Sequence, residues 1–327
     1  VLDHRFDVMR ALEPSVEAAL TTLLPPDQCW QPSDVLPTLQ GDGWRDEVEE
    51  LRAEAARLTD EMLVVLVGNV VTEEALPAYL ATINRCGGMT DRTGVDAHPW
   101  ARWARSWTAE EKRHGDAGRG YLLLSGRVDL LAVERTVQHL LRNGFDNRAG
   151  GDPYRGLAYA SFQEHATKLA WIQLGRLAGA CGAPRLHRLC GLIAADEARH
   201  ERAYVSVLQD LVAKDPCGAL EALEETLCGI VVMPARTMTD GVDRNLFGHF
   251  ADVGQRLGVY TYADYAENLR QLLDTLGLPS MPGLSGAASA RRDTLCAAAE
   301  RHRAAAAEIS SRKARPVAFS WISGRRV

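Results

Sequence analysis

Apolar residues recur every three or four positions through nearly the whole chain, and strand-like alternation is almost absent. That spacing stacks side chains on one face of an α-helix and excludes a core built from sheets. Within residues 46–58, Val48, Leu51, Ala55 and Leu58 form the apolar stripe, with charges between them. The same pattern predicts helices over about 44–64, 66–86, 97–124, 128–142, 155–182, 185–213, 218–235, 244–256, 263–276 and 285–311. Breakers separate them at Gly87-Gly88, Gly150-Gly151-Asp152-Pro153, Gly182-Ala183-Pro184 and over 279–286. Several of these helices reach about 20 to 30 residues, a length suited to bundle packing. We therefore expect one all-α domain over 1–327. Its bundle core spans about 44–213, accessory helices about 218–311, and a short extended arm 312–327.

Composition narrows the functions. With 37 Lys+Arg against 43 Asp+Glu the net charge is −6, which leaves no basic footprint for nucleic acid. The 7 cysteines form no C-x-x-C pair, which argues against a disulfide framework and a thiolate zinc site. The longest apolar run, residues 62–71, is interrupted by Gly68 and Asn69 and is too short to span a membrane. The N-terminal residues lack the apolar core of a signal peptide. A cytoplasmic protein is the expectation.

Two predicted helices carry Glu-x-x-His: Glu111-Lys112-Arg113-His114 and Glu197-Ala198-Arg199-His200. Residues three apart share a helix face, so each pair aims a carboxylate and an imidazole at one point. A single such pair is usually a solvated face. Two on separate helices are the pattern of a di-iron carboxylate bundle, which needs one further Glu from each of two other helices. Candidates stand in the right order: Glu73 or its neighbour Glu74 before the first pair, and Glu164 before the second. Four carboxylates and two imidazoles largely neutralise two ferrous ions, whereas zinc prefers fewer, softer ligands and calcium avoids imidazole.

The strings V-L-V-G-N-V-V-T-E-E-A-L-P, W-T-A-E-E-K-R-H-G-D, S-F-Q-E-H-A-T, A-A-D-E-A-R-H-E, M-P-A-R-T-M-T-D-G and Q-R-L-G-V-Y-T-Y-A-D-Y run through nearly the whole chain. They resemble the soluble acyl-carrier-protein (acyl-ACP) desaturases, a group that includes the plastid stearoyl-ACP desaturases and their actinobacterial relatives. The resemblance implies a ferritin-like four-helix di-iron bundle with additional helices, assembled as a homodimer. It implies two Fe per chain, O2 as co-substrate, no directly bound nucleotide cofactor, acyl carrier protein bearing the acyl chain, and ferredoxin as electron donor. The reaction it implies is insertion of a cis double bond. A di-iron hydroxylase acting on a carrier-bound acyl chain would use the same ligands and is the alternative.

Position by position, the resemblance implies Glu73, Glu111, His114, Glu164, Glu197 and His200 as metal ligands, with Glu111 and Glu197 bridging. It selects Glu73 over Glu74, a choice that spacing leaves open. Asp196 is implied to support His114, with Trp30 nearby on an electron-entry path. Their plainer readings are a surface acid and a core aromatic. Thr167 matches a threonine beside the dioxygen site, although a mid-helix threonine commonly bonds back to the carbonyl four residues earlier. Trp107 reads as core packing, and His165 points about 100° away from its neighbour Glu164. The implied substrate channel comprises Thr82, Ile83, Arg85, Cys86, Gly156 and Leu157. Arg85 departs from the plant pattern, and a cation inside an apolar tunnel is costly unless paired. Arg85 is therefore expected at the tunnel mouth, the alternative being a shorter or oxygenated acyl chain. The basic run that plant members carry before M-P-A is replaced here by 227–232, L-C-G-I-V-V. The alternative basic patches for an acidic carrier are Arg312, Lys313 and Arg315, and the pair Arg325-Arg326. A radical-bearing tyrosine, as in ribonucleotide reductase small subunits, is not expected at Tyr121 or Tyr159.

Overall fold

The computed structural model describes residues 2–284, 286–310 and 316–327. Thirteen α-helices are found among these residues. In chain order they are α1 (Leu2–Ala11), α2 (Glu13–Leu20), α3 (Trp44–Ala55), α4 (Asp60–Glu74), α5 (Leu76–Ile83), α6 (Pro99–Ser125) and α7 (Leu130–Asn143). They continue with α8 (Pro153–Ala180), α9 (Pro184–Lys214), α10 (Pro216–Leu227), α11 (Leu246–Leu257), α12 (Tyr262–Thr275) and α13 (Gly286–Ser310).

Four of these form the bundle. α8 runs beside α9 along its length, α4 packs on α6, and contacts of α4 with α8 and of α6 with α9 close the square. The turn over 181–183 reverses the chain tightly: Gly182 takes φ +81°, and the Ala183 N–H bonds back to the Ala178 carbonyl at 2.9 Å. α4 is apolar on almost every face because every face is covered, with α6 and α8 inside the bundle and α7 and α11 outside. Gly68 is what lets α11 approach: a Cβ there would stand 2.1 Å from the Phe250 ring. Among the described residues no single helix is long and apolar enough to cross a membrane.

The helical pattern differs from expectation in four places. The stretch 44–64 is two helices, because the chain turns over 56–59 and Thr59 caps α4 by accepting the Met62 N–H at 3.3 Å. The stretch 66–86 contains a 43° bend between α4 and α5, where Pro77 lies in the first turn of the new helix and cannot donate a backbone bond. The helix expected over 218–235 ends at Leu227, and the Tyr265 hydroxyl bridges the following turn, accepting from Val231 N–H and donating to the Gly229 carbonyl. Helices α1 and α2 were not expected. Their polar faces are long, yet Val8, Met9, Leu12 and Val16 are buried against the bundle.

At the other end, residues 316–327 do not run on as the expected extended arm: they fold back through a 3-10 turn at Ser320–Ile322, with Val317 and Val327 exchanging backbone hydrogen bonds and an isolated antiparallel bridge between Ala318 and Arg326. Phe319, Trp321 and Ile322 are buried, and Trp321 Nε1–H donates to Thr136 on α7 at 2.8 Å. Arg312, Lys313 and Arg315, raised above as a basic patch, lie outside the described residues. Arg325 is engaged by Asp60 at 2.8 Å, and Arg326 donates to the Pro316 carbonyl.

Candidate metal centre

Each bundle helix turns one carboxylate inward. Glu73 comes from the last turn of α4, Glu111 and His114 from the middle of α6, Glu164 from α8, and Glu197 and His200 from α9; all six are buried. Their ligating atoms fall into two quartets, each lying within 4.8 Å of one another: Glu73, Glu111, His114 and Glu197, and Glu111, Glu164, Glu197 and His200. Glu111 and Glu197 are common to both. His114 Nδ1 lies 3.3 Å from Glu111, 3.4 Å from Glu197 and 3.8 Å from Glu73. His200 Nδ1 lies 2.8 Å from Glu111, 3.5 Å from Glu164 and 3.7 Å from Glu197. The two imidazole centroids are 6.3 Å apart.

The outer nitrogens are held by acids on the opposite helix. His114 Nε2 meets Asp196 at 3.1 Å, and His200 Nε2 meets Glu110 at 3.1 Å. Each acid immediately precedes a Glu of a Glu-x-x-His segment, so the two pairs brace each other across α6 and α9. Asp196 also accepts from Trp30 Nε1 at 2.9 Å and from Arg113 at 2.8 Å, and Trp30 stacks 4° from parallel with the His114 ring. Glu110 accepts the Leu24 N–H at 2.9 Å. Trp171 Nε1–H fixes one oxygen of Glu73 at 2.8 Å.

Clustering these groups costs desolvation, and the acid–base balance shows it. Burial pushes Glu73 up to about 7 and drives Glu164 well above the carboxylate range. Burial also works to raise Glu111, but the two neighbouring imidazoles outweigh it and hold that carboxyl low. At Asp196 burial is likewise overcome, by His114, Arg199 and Arg113, leaving it at about 2.

Glu111 Oε1, Glu197 Oε1, His114 Nδ1 and His200 Nδ1 are buried with no hydrogen-bond partner among the described residues. Unpaired buried acceptors facing one another are unfavourable unless a cation joins them. Carboxylates with imidazoles, and no thiolate, suit a divalent transition metal. The donors present therefore fit a metal centre.

A cavity opens onto this cluster. Its walls include Glu73, Glu111, Glu164, Glu197, Thr82, Ile83, Cys86, Gly156, Leu157 and Thr167. Five of the six residues expected to line a channel are thus brought together beside the carboxylates. Arg85 is not: it is exposed and is absent from the walls, because it follows the end of α5 and its guanidinium stays in solvent. The Thr167 hydroxyl donates to the Gln163 carbonyl at 3.2 Å, the local bond a mid-helix threonine commonly makes. Trp107 lines the cavity, its ring centroid 6.4 Å from that of His200. His165 points away and pairs with Glu201 at 2.7 Å. Glu110, Arg199 and Trp171 were not singled out from the sequence. The signal for Glu110 and Arg199 was present, since E-E-K-R-H and D-E-A-R-H share an acid before the Glu and an Arg before the His.

Four antiparallel helices around one buried cluster of carboxylates and imidazoles define a ferritin-like bundle with a metal centre. The family model described as fatty acid desaturase matches residues 4–323, and the chain belongs to that family. Similar proteins include a chloroplastic stearoyl-[acyl-carrier-protein] 9-desaturase 1 of Oryza sativa subsp. indica, 47% identical over 99% of this chain and 87% of that protein. A chloroplastic stearoyl-[acyl-carrier-protein] 9-desaturase 6 of Arabidopsis thaliana is 44% identical over 99% of this chain and 85% of its own. The crystal structure of a putative acyl-ACP desaturase, DesA2 of Mycobacterium tuberculosis, has a similar fold (TM-score 0.55, 20% identity, 84% of this chain and 97% of that one). These relatives do not favour the hydroxylase alternative.

Proposed function

We propose that the protein is an acyl-ACP desaturase, which uses two irons and O2 to introduce a cis double bond into a fatty acyl chain held as a thioester on acyl carrier protein. The observation that carries this reading is the pair of overlapping quartets opening onto a cavity, in a chain whose relatives are named stearoyl-[acyl-carrier-protein] 9-desaturases. Glu73 and His114 would hold one iron, Glu164 and His200 the other, and Glu111 and Glu197 both. When bound, the irons supply with O2 the oxidising power to break unactivated C–H bonds, which no side chain is basic enough to ionise.

The remaining work falls to the protein's own residues. Ile83, Cys86 and Leu157 on the cavity wall would fix the methylenes against the carboxylates and keep water out. Thr167, which lines the cavity together with Glu164, is the proposed hydroxyl for holding a proton there. Trp30, through Asp196 and His114, is the proposed entry for electrons from ferredoxin. The proposal includes a homodimer and a cytoplasmic location, drawn from the resemblance and the composition. A single family match spanning 4–323 supports one desaturase domain with its bundle, accessory helices and arm.

The test is to reduce the iron-loaded protein with a ferredoxin system and present acyl-ACPs of several chain lengths. Mass spectrometry is expected to show a product lighter by two hydrogens, lost in Glu197→Ala. A product heavier by one oxygen, or no product on any acyl-ACP, would overturn the reading.

A further inference from the structure

The outer supports of the two imidazoles are not independent. Asp196 and Glu110 are both deeply buried, 1% and 3% exposed, and two carboxylates in that setting repel unless a cation lies between them. Arg199 on α9 supplies it. Its Nη2 donates to Asp196 Oδ1 and to Glu110 Oε2, the latter at 3.3 Å. Arg113, by contrast, donates to Asp196 at 2.8 Å and pairs with Glu110 only as a charge at 3.8 Å, without a hydrogen bond. The result is one connected chain of polar contacts, from Trp30 through Asp196, Arg199 and Glu110 to His200, with His114 attached at Asp196.

We infer that Arg199 is a positioning residue that couples the two halves of the metal centre. By holding both outer acids at once, it sets the orientation of both imidazoles together. Each acid accepts the Nε2–H, which leaves Nδ1 free to face the metal. A shift of the Arg199 guanidinium moves both supports through hydrogen bonds, whereas Arg113 is hydrogen-bonded only to the support of His114 and meets Glu110 as a charge at 3.8 Å. The inference rests on the metal-centre reading above.

The test uses the full chain loaded anaerobically with 57Fe(II) and read by Mössbauer spectroscopy, alongside a ferrous binding titration. Wild type is expected to bind two irons per chain. Arg199→Gln is expected to shift the signals of both irons and to weaken both binding steps about 10-fold, the scale typical for losing a support of a metal-bound histidine. Arg113→Gln is expected to shift the signal of the iron beside His114 much more than the other. Arg199→Lys, which keeps a cation between the two acids, is expected to return both signals toward wild type and guards against simple misfolding of the Gln variant. Coupling through Arg199 is overturned if Arg199→Gln alters one iron or neither, or if Arg113→Gln alters both equally. A wild type that binds no pair of irons would instead sink the metal-centre reading itself.

Discussion

Glu111 and Glu197 stand in both quartets, while Glu73 and Glu164 stand in one each. Removing a shared carboxylate strips both positions of a ligand, so Glu111→Ala and Glu197→Ala are expected to retain almost no metal after dialysis. Glu164→Ala is expected to keep the position beside His114. Metal content per chain, by plasma mass spectrometry, separates these outcomes, and equal losses in all three variants would contradict sharing. At this scale the sequence was most readable where chemistry follows helical spacing. Glu111 and His114 lie three apart and could be paired by counting. Glu73 and Glu74 are neighbours on α4, and spacing cannot choose between them. In the structure Glu73 faces the cluster, whereas the Glu74 carboxylate lies over Gly115, 3.1 Å from where a Cβ there would stand. The support of His200 by Glu110 crosses from α9 to α6, a relation that no spacing within one helix encodes.

Close helix approach depends on glycines with no room for a side chain. Gly68→Val would drive atoms into the Phe250 ring on α11, and overpacking of this kind costs about 2 kcal/mol. Chemical denaturation is expected to show that loss, and the double variant Gly68→Val/Phe250→Ala is expected to show a smaller additional loss than the two single effects summed. Additive losses would mean the contact is not what limits the approach. Helices separated by glycine or proline were located well in advance. The 56–59 turn was missed because it has neither breaker, and the chain turns there through a threonine cap. The α4–α5 bend did carry its proline, but the apolar pattern ran on across it, since both segments are packed on several sides.

The whole molecule is held closed partly by its N-terminal helices, whose polar surfaces hid their role in the sequence. Arg5 on α1 is buried, pairs with Asp152 at the start of α8 and reaches Glu221 on α10 at 2.6 Å. Arg5→Ala takes from buried Asp152 its hydrogen-bonded cation and leaves only Arg155 at 3.8 Å, a loss of about 3 kcal/mol. Urea unfolding is expected to show a lower midpoint with an unchanged slope, and an unchanged midpoint would show that α1 is not a structural strap. The bundle, for its part, exists to bring six donors from four helices to one buried point, and that claim admits a direct test. Crystals of the iron-loaded protein, measured at the iron absorption edge, are expected to show two anomalous peaks, one against His114 and one against His200, with Glu111 and Glu197 touching both. A single peak, or peaks away from these residues, would contradict the account.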